Sequence, residues 1–148
     1  MKNVPFLVCS VFYCVAFNQN FIELHARVAV PEDVAVCMDR TNVTTVELMR
    51  LQHSSEKRIE LINEDGEFRR YGCFLACILQ FHGAMTGSDL NAQRITETIE
   101  RAYGNDSDVN MFVHKIVQTC ADSLAETDDE CNVALAFKIC TLKAMRNI

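Results

Sequence analysis

The stretch CFLAC at residues 73–77 places two cysteines four positions apart inside an apolar segment. On an α-helix residues i and i+4 share one face, so the two sulfur atoms are aimed at other segments rather than at each other. Four more cysteines lie outward from this pair, Cys37 before it and Cys120, Cys131 and Cys140 after it. The full order is C-x35-C-x3-C-x42-C-x10-C-x8-C. This spacing indicates helices that are cross-linked to one another.

The spacing also limits how the cysteines can pair. Cys131 and Cys140 are nine positions apart, about 900° of helical rotation and so roughly half a turn out of phase, and they must reach different partners. Six cysteines can pair in many ways. We exclude a bond within either close pair and a bond between Cys120 and Cys131 across their short turn. A few pairings remain, and the spacing alone does not choose among them.

The N-terminus predicts secretion. Lys2 precedes an apolar stretch without charge at residues 4–17. At about 14 residues this stretch is shorter than the roughly 20 that cross a bilayer, which favours a signal peptide over a membrane anchor. We predict a signal peptide at residues 1–26, cleaved after a position between 16 and 26, and one domain at residues 27–148. Cleavage removes Cys9 and Cys14 and leaves the even number of cysteines that a secreted disulfide protein needs.

Composition narrows the class of partner. The formal net charge is −6, and removal of residues 1–26 takes away one basic and one acidic side chain, so the mature chain keeps this charge. An acidic surface argues against nucleic acid and against an anionic membrane as partners. After the N-terminus no apolar segment is long enough to span a bilayer, so we predict no stable membrane insertion.

The apolar pattern predicts an all-α fold of six short helices. Apolar residues recur at steps of three and four, and only two prolines and five glycines interrupt the chain. Pro31 suits a first helical position, and Thr44 or Thr45 can cap the second helix. The predicted helices span about residues 31–38, 44–53, 67–83, 89–103, 108–124 and 128–145. On the fifth helix the expected inward stripe is Val109, Phe112, Ile116, Cys120 and Leu124.

Sequence signatures of catalysis are missing. The chain has no G-x-S-x-G, no H-E-x-x-H and no glycine-rich phosphate loop. Its cysteines lack the paired C-x2-C spacing of structural zinc sites. His82 and His114 each fall singly on a helix, where a histidine is usually a surface or satisfied core residue. We therefore predict a protein that is not an enzyme and has no catalytic residues, no metal and no cofactor.

The cysteine spacing resembles that of the insect odorant-binding protein family of the six-cysteine type, which includes pheromone-binding and general odorant-binding proteins. Three residues separate the second and third cysteines and eight separate the fifth and sixth, as in that family, and the resemblance runs from about Val30 to Met145. It implies six helices around an apolar cavity and carriage of a small hydrophobic ligand, volatile or lipid-like. It also implies the disulfides Cys37–Cys77, Cys73–Cys131 and Cys120–Cys140.

Apolar side chains on helices three to six and at the chain end are the candidates for the pocket wall. Methionine and phenylalanine suit such a wall because flexible thioethers and aromatic rings line adaptable apolar pockets. Tyr103, His82 or Thr119 could orient a ligand oxygen. The candidate ligand-binding residues are Leu75, Ile78, Leu79, His82, Met85, Ile95, Ile99, Met111, Phe112, Ile116, Phe137, Met145 and Ile148.

The functional hypothesis that follows is a secreted carrier. It would solubilise odorants or pheromones in sensillar lymph or another secretion and deliver them to a membrane receptor, such as an olfactory receptor, as a monomer or weak homodimer. The alternative is a secreted helical effector of saliva, venom or reproductive fluid, with a solid core and no ligand cavity. A secreted lipase-type enzyme is the least favoured hypothesis.

Two sequons complete the set of candidate sites. Asn42-Val43-Thr44 and Asn105-Asp106-Ser107 both lie in predicted turns, where N-glycosylation is sterically possible. The alternative, at Asn42 and at Asn105, is that the three-residue sequence matches the sequon but is not glycosylated.

Overall fold

Six helices and one short hairpin form the part of the chain that the structure describes. The structure is a computed structural model, and it describes residues 31–52, 66–103, 107–124 and 128–146. The predicted all-α class with six helices is confirmed. In chain order the elements are α1 (Glu32–Thr41), α2 (Thr45–Gln52), α3 (Gly66–Phe81), β1 (Met85–Thr86), β2 (Asp89–Leu90), α4 (Ala92–Tyr103), α5 (Ser107–Ser123) and α6 (Glu130–Arg146).

The start of α2 is fixed by a capping box. The Thr44 backbone N–H donates to Glu47 Oε2 at 2.8 Å, and the Glu47 N–H donates to Thr44 Oγ1 at 3.2 Å. Of the two predicted caps, Thr44 is therefore the one used. Arg70 from α3 donates to Glu47 Oε1 at 2.7 Å. The Thr44 N–H bond and the bond from Arg70 lower the pKa of Glu47 to about 2.

Helices α1 and α3 end in the same type of C-terminal turn. Asn42 follows α1 with a φ of 55°, and the Val43 N–H reaches back to the Met38 carbonyl at 3.2 Å. Gly83 follows α3 with a φ of 71°, and the next N–H, that of Ala84, bonds to the Leu79 carbonyl at 2.8 Å. These are the bonds that satisfy the last carbonyls of a helix. The predicted stop near Gly83 is confirmed.

The segment before α4 differs from the prediction. Residues 89 and 90 form strand β2, with Met85 paired to Leu90 and Thr86 to Asp89, so α4 begins at Ala92 and not at Asp89. Asn91 explains the later start, because its side-chain oxygen accepts the backbone N–H of Arg94 at 3.0 Å and caps the helix.

Three disulfides join the helices around α3 and α6. Cys37–Cys77 joins α1 to α3, Cys73–Cys131 joins α3 to α6, and Cys120–Cys140 joins α5 to α6, with Cα–Cα distances of 5.6, 4.2 and 5.7 Å. This is the pairing that the family resemblance implies. The most extensive contact between elements is that of α3 with α6. None of the helices described is long and apolar enough to cross a membrane. The predicted signal peptide lies outside the described residues.

Candidate functional site

The buried interior collects most of the predicted pocket residues. These side chains come from α3, β1, α4 and α6, and each is at most 5% exposed. They belong to one apolar cluster that extends through the fold. The interior residues of the predicted set are Leu75, Ile78, Leu79, Met85, Ile95, Ile99 and Phe137.

Two more predicted residues are half-buried. Ile116 on α5 is half-buried and packs against the cluster. Met145, in the last turn of α6, is half-buried as well. Ile148 was predicted to line the pocket, but it lies outside the described residues.

The prediction that Met111 and Phe112 face the pocket is wrong. Met111 is 69% exposed and Phe112 is 40% exposed. The inner stripe of α5 runs through the partly buried Val113 and the buried Val117 and Cys120, and of these three only Cys120 was on the predicted stripe. Phe112 lies about a third of a turn from the centre of that stripe, because each residue advances the helix by roughly 100°.

Two further expectations for α5, one for a polar and one for an apolar residue, differ from the structure. Thr119 was predicted to orient a ligand oxygen, but it is exposed on α5. Val109, expected on the inward stripe, is 40% exposed in the first turn of that helix. Tyr103 was also predicted to orient a ligand oxygen. It ends α4, and its side chain lies outside the described part of the structure.

His82 makes a polar contact within the chain. It follows the end of α3, its side chain is 42% exposed, and its Nε2 lies 2.7 Å from Oδ2 of Asp33 at the start of α1. Asp33 is buried. The contact joins two helices that the Cys37–Cys77 disulfide also joins, which gives His82 a role in holding α1 on α3.

The interior also contains two polar side chains that the sequence analysis missed. Lys138 on α6 is 2% exposed, and its Nζ lies 5.8 Å from the centre of the ring of Tyr71 on α3, which is fully buried. Burial lowers the pKa of Lys138 to about 8 and raises that of Tyr71. Lys138 is in helical phase with Ala134 and Thr141, which are also buried, but the sequence alone does not show that this face of the helix is the covered one.

The remaining candidate sites are the two sequons. Asn42 of the first sequon is exposed in its turn after α1, and Asn105 of the second lies outside the described residues. In the described ranges no group of three or more histidine, cysteine or acidic side chains has the arrangement of a metal site. The described interior is mainly apolar, and its buried polar side chains are Asp33, Tyr71, Thr96, Lys138 and Thr141.

Comparison with known proteins finds a family model and relatives whose sequences are similar to that of this chain. The family model described as PBP/GOBP family matches residues 25–144. Pheromone-binding protein Gp-9 of Solenopsis nigella gensterblumi is 24% identical over 145 residues, which cover 97% of this chain and 93% of that relative. Pheromone-binding protein Gp-9 of Solenopsis richteri is 22% identical over 135 residues, which cover 90% and 87%.

The fold has a counterpart among solved structures. Odorant-binding protein dmelOBP28a from Drosophila melanogaster matches with a TM-score of 0.58 and 18% sequence identity. The match covers 88% of this chain and 97% of the Drosophila protein. At 18% sequence identity, this likeness is evidence of a shared fold alone.

Proposed function

This chain belongs to the PBP/GOBP family and is a carrier of small ligands, and from that premise we propose that it holds an odorant- or pheromone-like molecule in the interior between α3, α4 and α6. The observation that carries the proposal is the continuous apolar cluster to which Ile78, Ile95 and Phe137 belong. The family match favours a carrier over the effector alternative.

The driving force would be partition of hydrocarbon out of water. Each buried methylene contributes about 0.8 kcal/mol, so a ligand of about ten carbons gains enough to offset the loss of its translational freedom and bind at micromolar concentration. Specificity for shape is weak in such an interior, which suits a carrier of related molecules. The mechanism requires binding alone, and we propose that the protein acts without catalysis.

The disulfides support this use of the interior. A core that opens for a ligand gives up packing energy. In the chain-entropy model a bridge closing 40 residues, as Cys37–Cys77 does, contributes on the order of 4 kcal/mol. Three bridges between the helices allow the interior to rearrange while the fold is kept.

The proposed setting is extracellular. The apolar N-terminal stretch, the even number of remaining cysteines and the acidic charge fit a signal peptide followed by release into a secretion such as sensillar lymph. There the protein would act as a monomer or weak homodimer and deliver its ligand to a membrane receptor. N-glycosylation at the exposed Asn42 is compatible with this setting.

Displacement of a fluorescent apolar probe tests the proposal. The mature protein should bind a phenyl-naphthylamine probe, and medium-chain alcohols, aldehydes and esters should displace it. Ile78→Phe, which fills the interior, should lower the probe affinity about tenfold. Val46→Phe is the control, because Val46 is 75% exposed on α2 and a β-branched side chain replaced by phenylalanine there should leave affinity unchanged. Equal affinity in the wild type and in Ile78→Phe would place the ligand elsewhere.

A further inference from the structure

Lys138 and Tyr71 place hydrogen-bonding groups in an otherwise apolar region. Both are almost fully buried, with exposed fractions of 2% and 0%. Among the residues that the structure describes, neither the Lys138 ammonium nor the Tyr71 hydroxyl has a hydrogen-bond partner. These two buried polar groups, which lie on facing helices, therefore both have hydrogen-bond donors without an acceptor.

The arrangement is costly for the protein alone. A buried ammonium has three N–H donors and normally pairs with an acceptor, since burial without one costs several kcal/mol. The Tyr71 ring, whose centre is 5.8 Å from Lys138 Nζ, attracts the cation through its π face but accepts no conventional hydrogen bond. This contact offsets only part of the cost.

The described part of the chain supplies no anion to Lys138. Ion pairs such as Arg69–Asp129 and Arg70–Glu47 involve other, more exposed side chains. Among the described residues, the buried carboxylate is that of Asp33, and it lies against His82. The hydroxyl of Thr141, one turn from Lys138, donates to the Lys138 carbonyl at 2.8 Å. An acceptor for the ammonium must then come from outside the described chain.

Most of the neighbouring helical positions are apolar. One turn from Tyr71 on α3 lie Phe68 and Leu75, and one turn from Lys138 on α6 lies Ala134, and all three are buried. A ligand whose polar end meets the two donors would therefore have hydrocarbon surroundings for the rest of its length.

We propose that Lys138 and Tyr71 hold the carboxylate of a long-chain acid whose hydrocarbon tail lies in the apolar interior, an inference that rests on the proposed carrier function. One carboxylate oxygen would accept from Lys138 Nζ and the other from the Tyr71 hydroxyl. A carboxylate fits best because its single negative charge neutralises one ammonium and its two oxygens match two donor groups. An alcohol or an ester brings acceptors but no charge.

Three ligands of one chain length isolate the head group. Dodecanoic acid, dodecanol and methyl dodecanoate share most of their hydrocarbon and differ at the polar end. In probe displacement at neutral pH, with each competitor kept below its aggregation limit, the acid should bind at least about tenfold more tightly than the alcohol, because a charge-assisted hydrogen bond is worth about a factor of ten.

Two variants assign the effect to the proposed residues. Lys138→Met replaces the lysine with an unbranched side chain that is one atom shorter and uncharged, so it should abolish the preference for the acid over the alcohol and the ester. Tyr71→Phe removes only the hydroxyl and should reduce the preference in part. Lys115→Met is the matched control, since Lys115 is exposed on α5 and its loss also removes one positive charge.

The outcomes separate this inference from the carrier function. An acid preference that disappears in Lys138→Met and persists in Lys115→Met supports it. A wild type that binds the alcohol and the acid equally, or a preference that survives in folded Lys138→Met, overturns it and leaves the carrier function standing. Failure of all three ligands to displace the probe would contradict both proposals.

Discussion

A β-carbon on Gly72 would lie 2.5 Å from the carbonyl oxygen of Cys131, so α3 and α6 meet backbone to backbone at this point. The next residue, Cys73, is bonded to Cys131, and their Cα atoms are 4.2 Å apart. The β-carbon of Leu135 closes the same space at 3.2 Å. Glycine is required here by the close approach of two helices.

Gly72→Ala should therefore destabilise the protein. Alanine is the better helix former by about 1 kcal/mol, but the clash is with backbone that a disulfide holds in place, and overpacking of this kind costs about 1–3 kcal/mol. Thermal unfolding measures the net effect. In the matched variant Gly66→Ala the nearest atom would be at 3.8 Å, so its melting temperature should stay the same or rise. A Gly72→Ala protein as stable as Gly66→Ala would show that the helices can separate at no cost.

Lys138 should make stability of the ligand-free protein depend on alkaline pH. Burial lowers its folded-state pKa to about 8 from the ordinary 10.5, so between these values the unfolded chain binds more protons and stability rises as pH rises. The raised pKa of Tyr71 has the opposite effect only above roughly pH 10, where an unfolded tyrosine ionises.

Melting temperatures from pH 7.5 to about pH 9.5 test this dependence. The wild type should gain stability across the range relative to Lys138→Met, and Lys138→Met should be the more stable protein at pH 7, by roughly 1–3 kcal/mol, because an apolar side chain replaces a buried cation. Parallel pH profiles for the two proteins would mean that Lys138 is not buried as a lone cation.

The capping box of α2 predicts a difference between two adjacent threonines. Thr44→Ala removes the hydroxyl that accepts the Glu47 N–H and should cost about 1 kcal/mol. Thr45→Ala changes an exposed side chain within the helix and should be nearly neutral. Both variants should be made without glycosylation, because Thr44 also completes the first sequon. Equal melting temperatures for the two variants would argue against Thr44 as the cap.

Two phenylalanines on different helices should behave differently. Phe137 is fully buried, and Phe137→Ala should lower the free energy of unfolding by about 3–5 kcal/mol. Phe112 is 40% exposed, so Phe112→Ala should cost less than about 1 kcal/mol and leave probe affinity unchanged. Chemical denaturation and probe titration of both variants provide the comparison. A tenfold loss of probe affinity in Phe112→Ala would show that Phe112 does line the pocket.

The sequence by itself determined the six helices and some of their ends. Periodic apolar residues predicted six helices, and the capping threonine before α2 and Gly83 after α3 act within a few residues of where they stand, so their effect can be inferred locally. The cysteine spacing excluded most pairings, and the family resemblance implied the pairing that the structure contains.

Only the tertiary structure decided which side of each helix is covered. Periodicity fixes the angle between two residues of one helix but not the rotation of that helix against its neighbours. In α5 that rotation buries Val117 and Cys120 and leaves Phe112 exposed, and in α6 it buries Lys138 beside Tyr71. The rotation depends on contacts between segments far apart in the chain, and no local pattern contains them.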